Sequence, residues 1–60
     1  MTEPDRLAKL RHDLANPLAG LLAEVQLLLL EPGQLAPETV TSLKEIESLA
    51  IRMRTILREP

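Results

Sequence analysis

The sequence predicts an all-α protein: an antiparallel two-helix hairpin that pairs with a second copy to form a homodimeric four-helix bundle. Three observations support this prediction. Fourteen of the 60 residues are leucine, while Phe, Tyr and Trp are absent. Apolar residues recur every three or four positions, and one Pro/Gly-rich break divides the chain. Aliphatic faces at this period are typical of helices that pack against other helices.

The first helix is predicted to span about residues 3–30. Thr2, with Asp5 three residues later, forms a weak capping box at its start. One extra residue enters the apolar repeat between Leu14 and Leu18, where Pro17 lies. The apolar seam expected on this helix consists of Leu7, Leu10, Leu14, Leu18, Leu21, Val25 and Leu28, broadened by Leu22 and Leu29.

A short loop over residues 31–36 is followed by a second helix over about 37–58. Pro32 and Gly33 favour a turn, and Pro37 suits the first position of a new helix with Glu38 in its first turn. Three arginines at the end of this helix lie near the negative end of its dipole. They are Arg52, Arg54 and Arg58. The predicted seam is Leu43, Ile46, Ala50, Met53 and Leu57, widened by Val40, Leu49 and Ile56.

These seams are wider than one partner helix can cover, and this width predicts the homodimer. Two hairpins packed as a four-helix bundle bury both sides of each seam. The alternative is that the chain is a piece of a larger protein whose other parts cover the seams. Neither the initial Met1 nor the final Glu59-Pro60 distinguishes these cases.

Composition excludes several classes of function. The chain has no cysteine and a single histidine without clustered carboxylates, so no metal site is expected. Its formal charge of −2 is unfavourable for binding nucleic acid. The most apolar stretch, residues 17–30, is interrupted by Glu24 and Gln26 and is shorter than the ~20 residues that span a bilayer. We therefore expect a cytoplasmic protein that binds neither nucleic acid nor membrane.

His12 is expected on the outer face of the first helix, about 170° from the seam at about 100° per residue. Small side chains surround it there, which suits docking of another protein, although alanine is also simply a good helix former. These neighbours are Ala8, Ala15, Asn16, Ala19, Gly20 and Ala23. The carboxylate of Asp13 is expected to accept a hydrogen bond from Nδ1–H of His12, which leaves Nε2 with the free lone pair.

Pro17 leaves two interpretations open. Inside a helix it removes the hydrogen bond to the Asp13 carbonyl and costs about 3 kcal/mol. Alternatively, Asn16 caps a new helix that begins at Pro17. The aliphatic seam on both sides favours one kinked helix.

The run Arg11-His12-Asp13-Leu14-Ala15-Asn16-Pro17-Leu18 resembles the H box of the dimerisation and histidine-phosphotransfer domain of sensor histidine kinases. The resemblance extends over residues 5–59. It implies that His12 accepts a phosphoryl group through Nε2, that Asp13 is the acid/base, and that Asn16 orients a hydrolytic water during dephosphorylation of a partner. The common motif has Glu after the histidine and a basic residue at the position of Ala15, so this chain carries an Asp/Ala/Asn variant that lacks the basic side chain.

The resemblance implies a phosphorelay role in a two-component system. On this resemblance, His12 is expected to receive a phosphoryl group from a kinase catalytic domain and to pass it to an aspartate of a response-regulator receiver domain. This chain has no Gly-rich phosphate loop, so ATP and Mg²⁺ are expected on the separate kinase domain or the regulator, and the chain alone is not expected to autophosphorylate. The alternatives are a catalytically silent dimerisation or interaction module and an unrelated coiled-coil regulator.

Overall fold

Two helices joined by a short turn make up the structure, a computed structural model that describes residues 2–59. Helix α1 spans Glu3–Leu28, a 3-10 turn spans Pro32–Gln34, and helix α2 spans Pro37–Arg58. The helices pack side by side as an antiparallel hairpin of 49 × 14 × 12 Å. Over residues 2–59 there are no strands, which confirms the all-α prediction. Neither helix is long and apolar enough to span a membrane within the same residues.

The start of α1 is capped by Thr2, as the sequence predicts. The Thr2 hydroxyl accepts a hydrogen bond from the Asp5 amide at 3.4 Å and donates one to the Asp5 carboxylate at 2.7 Å. Asp5 therefore binds the cap hydroxyl instead of the cap amide that a standard capping box uses. This pair satisfies one of the amides that a helix start leaves without a partner.

Helix α1 runs through Pro17 without a break, so Asn16 does not cap a second helix. Pro17 has no N–H, and the carbonyl of Asp13 therefore lacks its usual intrahelical donor. The turn between the helices uses no special backbone geometry, because neither glycine has a positive φ. Gly33 lies inside the 3-10 turn, and Pro37 starts α2 as predicted.

The contact between α1 and α2 is a narrow seam, which we call the inner seam. Its buried members are Leu18, Leu22 and Val25 of α1 and Ala50 of α2. Half-buried residues extend it at heptad spacing, and they are Ala15, Leu29, Val40, Leu43, Glu47, Arg54 and Leu57. The steps of three and four on both helices are typical of antiparallel helices packed side by side.

The single seam predicted for each helix is wrong, because its residues divide between two faces. Leu18, Leu22, Val25 and Leu29 belong to the inner seam, whereas the other predicted α1 residues are about half exposed. They form a second heptad surface with four residues of α2, which we call the outer leucine face. It consists of Leu7, Leu10, Leu14, Leu21, Leu28, Ile46, Leu49, Met53 and Ile56. The repeat predicted for α1 needed one extra residue near Pro17 because it combined residues of two adjacent seams.

The inner seam predicts that alanine substitutions at two leucines of α1 affect the free energy of unfolding very differently. Leu22 is 4% exposed and Leu27 is 60% exposed. Leu22→Ala is expected to lower the free energy of unfolding by about 2–3 kcal/mol, because it leaves a cavity against Ala50. Leu27→Ala is the matched control and is expected to change it by less than about 0.5 kcal/mol. Urea unfolding followed by circular dichroism measures both, and equal losses would contradict the assigned seam.

Candidate functional site

His12 lies on the solvent-exposed side of α1, ten residues into the helix. Its side chain is 75% exposed, and the backbone around it is regular helix. Successive residues turn by about 100°, so His12 points about 100° from the middle of the inner seam and nearly opposite the outer leucine face. The imidazole therefore remains accessible to another protein even when the outer leucine face is covered.

Beside His12 a groove of about 410 Å³ runs between the two helices. We call it the arginine groove, because Arg11 from α1 and Arg54 and Arg58 from α2 all line it. The remaining lining residues are His12, Ala15, Asn16, Leu18, Ala19, Leu22 and Leu57. Ala15 is half-buried, so the small residues near His12 form one wall of a groove. Part of the docking surface expected from the small side chains is thus concave, because α2 supplies a second wall.

Asp13 does not make the hydrogen bond to His12 that the sequence predicts. Its Oδ1 lies 3.8 Å from Nδ1 of His12, which is beyond hydrogen-bond distance. Its Oδ2 instead accepts a 2.6 Å hydrogen bond from Nζ of Lys9, one turn earlier on α1. The pairing follows from the i, i+4 spacing, which brings the two side chains together on the helix surface. The carboxylate therefore stands between an ammonium group and the imidazole.

The Lys9 hydrogen bond is the main reason that the pKa of Asp13 lies below 3.8. Slight desolvation opposes this shift, and the positive charges of Lys9 and His12 add to it. Asp13 is thus ionised at neutral pH. A carboxylate held in this state can stabilise a positive charge on the neighbouring ring, because opposite charges attract across a short distance.

Asn16 lies one turn after His12 and lines the arginine groove on the same side. Among residues 2–59 the structure gives its side-chain amide no hydrogen-bond partner, so it is free to bind a water or a ligand. Pro17 follows directly and leaves the Asp13 carbonyl without an intrahelical donor. His12, Asp13 and Asn16 are therefore together on one accessible side of α1.

No group of three or more potential metal ligands occurs within the described part of the chain. Sequence reasoning missed three residues that the structure brings to the site. The spacing of Lys9 and Asp13 was a sufficient signal for their pairing. Arg54 and Arg58 were assigned only to the helix dipole, because their position beside His12 depends on the register between α1 and α2.

The model of the family described as His Kinase A (phospho-acceptor) domain matches residues 5–59, nearly the whole chain. This range contains His12 and both helices apart from the first two residues of α1. Comparison with curated proteins gives no significant match, and neither does comparison with solved structures.

The hydrogen bond between Lys9 and Asp13 predicts a measurable effect of Lys9. Lys9→Gln is expected to raise the pKa of Asp13 toward its ordinary value, because the main stabilising donor is lost. The lowered pKa stabilises the folded state above the unfolded pKa, and this contribution disappears as the pH falls through the folded pKa. NMR titration of the side-chain carboxyl carbon measures the shift. Lys44→Gln on α2 is the control, and an unchanged Asp13 pKa in Lys9→Gln would contradict the assignment.

Proposed function

The chain belongs to the His Kinase A (phospho-acceptor) domain family, and on this premise we propose that His12 receives a phosphoryl group and passes it to an aspartate of a response-regulator receiver domain. Domains of this family are the phosphoacceptor and dimerisation modules of histidine kinases, and they work with kinase catalytic domains. The observation that carries the proposal is the exposed imidazole of His12 beside an ionised carboxylate. A two-component pathway in the cytoplasm is the context we propose for this transfer.

In the proposed reaction the lone pair of Nε2 forms a bond to the γ-phosphorus of ATP held by a separate catalytic domain. The bond between that phosphorus and its bridging oxygen breaks, and ADP leaves with the electron pair. The ring is then positively charged until the proton on Nδ1 is lost to Asp13 or to water. Positioning and electrostatics dominate such transfers, and the Mg²⁺ they need is brought by the catalytic domain or the receiver.

Asp13 supports this reaction through its charge and position. Its Oδ1 is on the Nδ1 side of His12 at 3.8 Å, so a small side-chain rotation brings it to hydrogen-bond distance. As an ionised carboxylate beside the ring, Asp13 can stabilise the imidazolium and accept its Nδ1 proton. Asn16 is proposed to orient the water that hydrolyses the phosphoryl group of a receiver.

We further propose that the chain forms a homodimeric four-helix bundle through the outer leucine face. In the single hairpin this face exposes nine large aliphatic side chains, each at least about 40% accessible. Exposed apolar surfaces of this size mark interaction sites. The arginine groove lies on the other side of the hairpin, so dimerisation leaves His12 accessible.

A second candidate is a catalytically silent dimerisation module. The outer leucine face supports this role on its own, since dimerisation needs no histidine. The position of His12 with Asp13 beside Pro17 favours the phosphoacceptor, because a module that only dimerises gains nothing from a proline inside its first helix.

The phosphoacceptor role is tested by incubating the domain with a histidine-kinase catalytic domain, ATP and Mg²⁺. Wild type is expected to gain acid-labile, alkali-stable phosphate, and His12→Ala is expected to gain none. Arg52→Ala, an exposed change outside the arginine groove, is the control and keeps its label. Equal labelling of His12→Ala and wild type, or no labelling of wild type by a donor active on other substrates, would refute the proposal.

The same labelled protein tests Asn16. Asn16→Ala is expected to accept phosphate from the kinase as wild type does but to hydrolyse the phosphoryl group of a receiver more slowly. An unchanged rate of receiver dephosphorylation would remove Asn16 from the site.

The dimer is tested by sedimentation equilibrium at micromolar concentration. The expected mass is twice the 6.7 kDa of one chain. Leu10→Glu places a charge on the outer leucine face and is expected to shift the mass toward one chain, because burying an unpaired carboxylate is costly. Leu30→Glu, at a residue 73% exposed in the turn, is the control and keeps the dimer. A wild-type mass of 6.7 kDa would contradict the dimer.

A further inference from the structure

The arginine groove has a charge opposite to that of the whole chain. The protein carries a formal charge of −2, yet three arginines and no carboxylate line this groove. Such a local concentration of one sign inside a concave surface attracts ions of the other sign. The groove is therefore suited to an anionic group of small size.

The three arginines are also without partners in the described part of the chain. Arg6 and Lys9 each form an ion pair with a carboxylate one turn away. Arg11, Arg54 and Arg58 form no ion pair and no side-chain hydrogen bond within residues 2–59. Arg54 is half-buried in the inner seam, where the electrostatic attraction between a cation and an anion is stronger than in water.

The position of the arginines relates them to His12. Arg54 and Arg58 lie one turn apart on α2, and both line the same groove as His12 and Asn16 of α1. A phosphoryl group on Nε2 adds two negative charges and three oxygen acceptors beside these guanidinium groups. Guanidinium groups bind phosphate oxygens in a paired geometry that lysine does not provide.

We propose that Arg54 and Arg58 hold the oxygens of the phosphoryl group on His12, so that α2 supplies the anion-binding half of the site. The inference rests on the proposed function and adds to it two positioning residues on the other helix. The arginines draw an anionic phosphoryl donor into the groove and stabilise the oxygens as the phosphorus moves to Nε2. Arg11 adds positive charge at the edge of the groove.

The test uses phosphoramidate, a small anionic donor that needs no kinase. Nε2 of His12 forms a bond to phosphorus, the P–N bond of the donor breaks, and the departing ammonia takes up the proton that the ring loses. ³¹P NMR follows phosphohistidine formation directly. Arg54→Gln/Arg58→Gln is expected to slow labelling at least roughly tenfold, because the loss of even one charge-assisted hydrogen bond has an effect of about that size. Arg52→Gln removes the same charge from α2 outside the groove and is expected to label at the wild-type rate.

A second readout separates a positioning role from a structural one. In wild type the Nε–H signals of Arg54 and Arg58 are expected to shift on phosphorylation, while the signal of Arg52 stays in place. Arg54→Lys keeps the charge without the paired donors and is expected to label at an intermediate rate. Circular dichroism shows whether each variant keeps its helices, and Arg58→Gln, at an exposed residue, tests the groove if the double variant loses its fold.

The outcomes distinguish this inference from the proposed function. Wild-type labelling of the double variant, with unmoved arginine signals, would overturn the inference and leave His12 as the acceptor. The same result with slower transfer to a receiver would overturn it also, and would assign the arginines to contact with an acidic receiver. Labelling of His12 by phosphoramidate but not by any kinase domain would refute the proposed relay. It would leave the proposed role of the arginine groove intact.

Discussion

The structure depends on one packing constraint: each helix carries two adjacent apolar heptads, and a hairpin can bury only one of them. The inner seam joins α1 to α2 through four buried residues, the largest of which are leucines. The outer leucine face remains in water. A core this small contributes little stability, since burial yields only about 25 cal/mol per Å² of apolar surface. The hairpin is therefore suited to pairing with another helical partner. The candidate site is then confined to the side away from the outer leucine face.

This constraint also explains where the reactive groups lie. His12, Asp13 and Asn16 occupy the side of α1 that neither seam uses, and two C-terminal arginines of α2 line the same groove as His12 and Asn16. The candidate site consequently combines residues of two helices, although all of its sequence motif is on one. Lys9 lies beside it as well, because its hydrogen bond is the main cause of the lowered pKa of Asp13.

Much of the fold could be predicted from sequence, because local signals govern it. The cap at Thr2, the loop predicted over residues 31–36 and the start of α2 at Pro37 are set by neighbours in the chain, although α1 already ends at Leu28. The division of the leucines between two faces could not be predicted. The two apolar stripes lie next to each other around the helix, and the sequence pattern fits either stripe as the one that packs against the other helix. At the site, the exposure of His12 followed from helix period alone. The arginine groove required the register between α1 and α2, which no local signal contains.

The turn between the helices lies far from the site. From His12 to the end of α1 is 16 residues, or about 24 Å at 1.5 Å per residue. The turn has no positive φ, and a Cβ on Gly33 would meet no atom within 4 Å. This end of the hairpin is therefore suited to modification. A fluorophore, an epitope tag or a few inserted residues can be attached there to follow the protein without disturbing the region around His12.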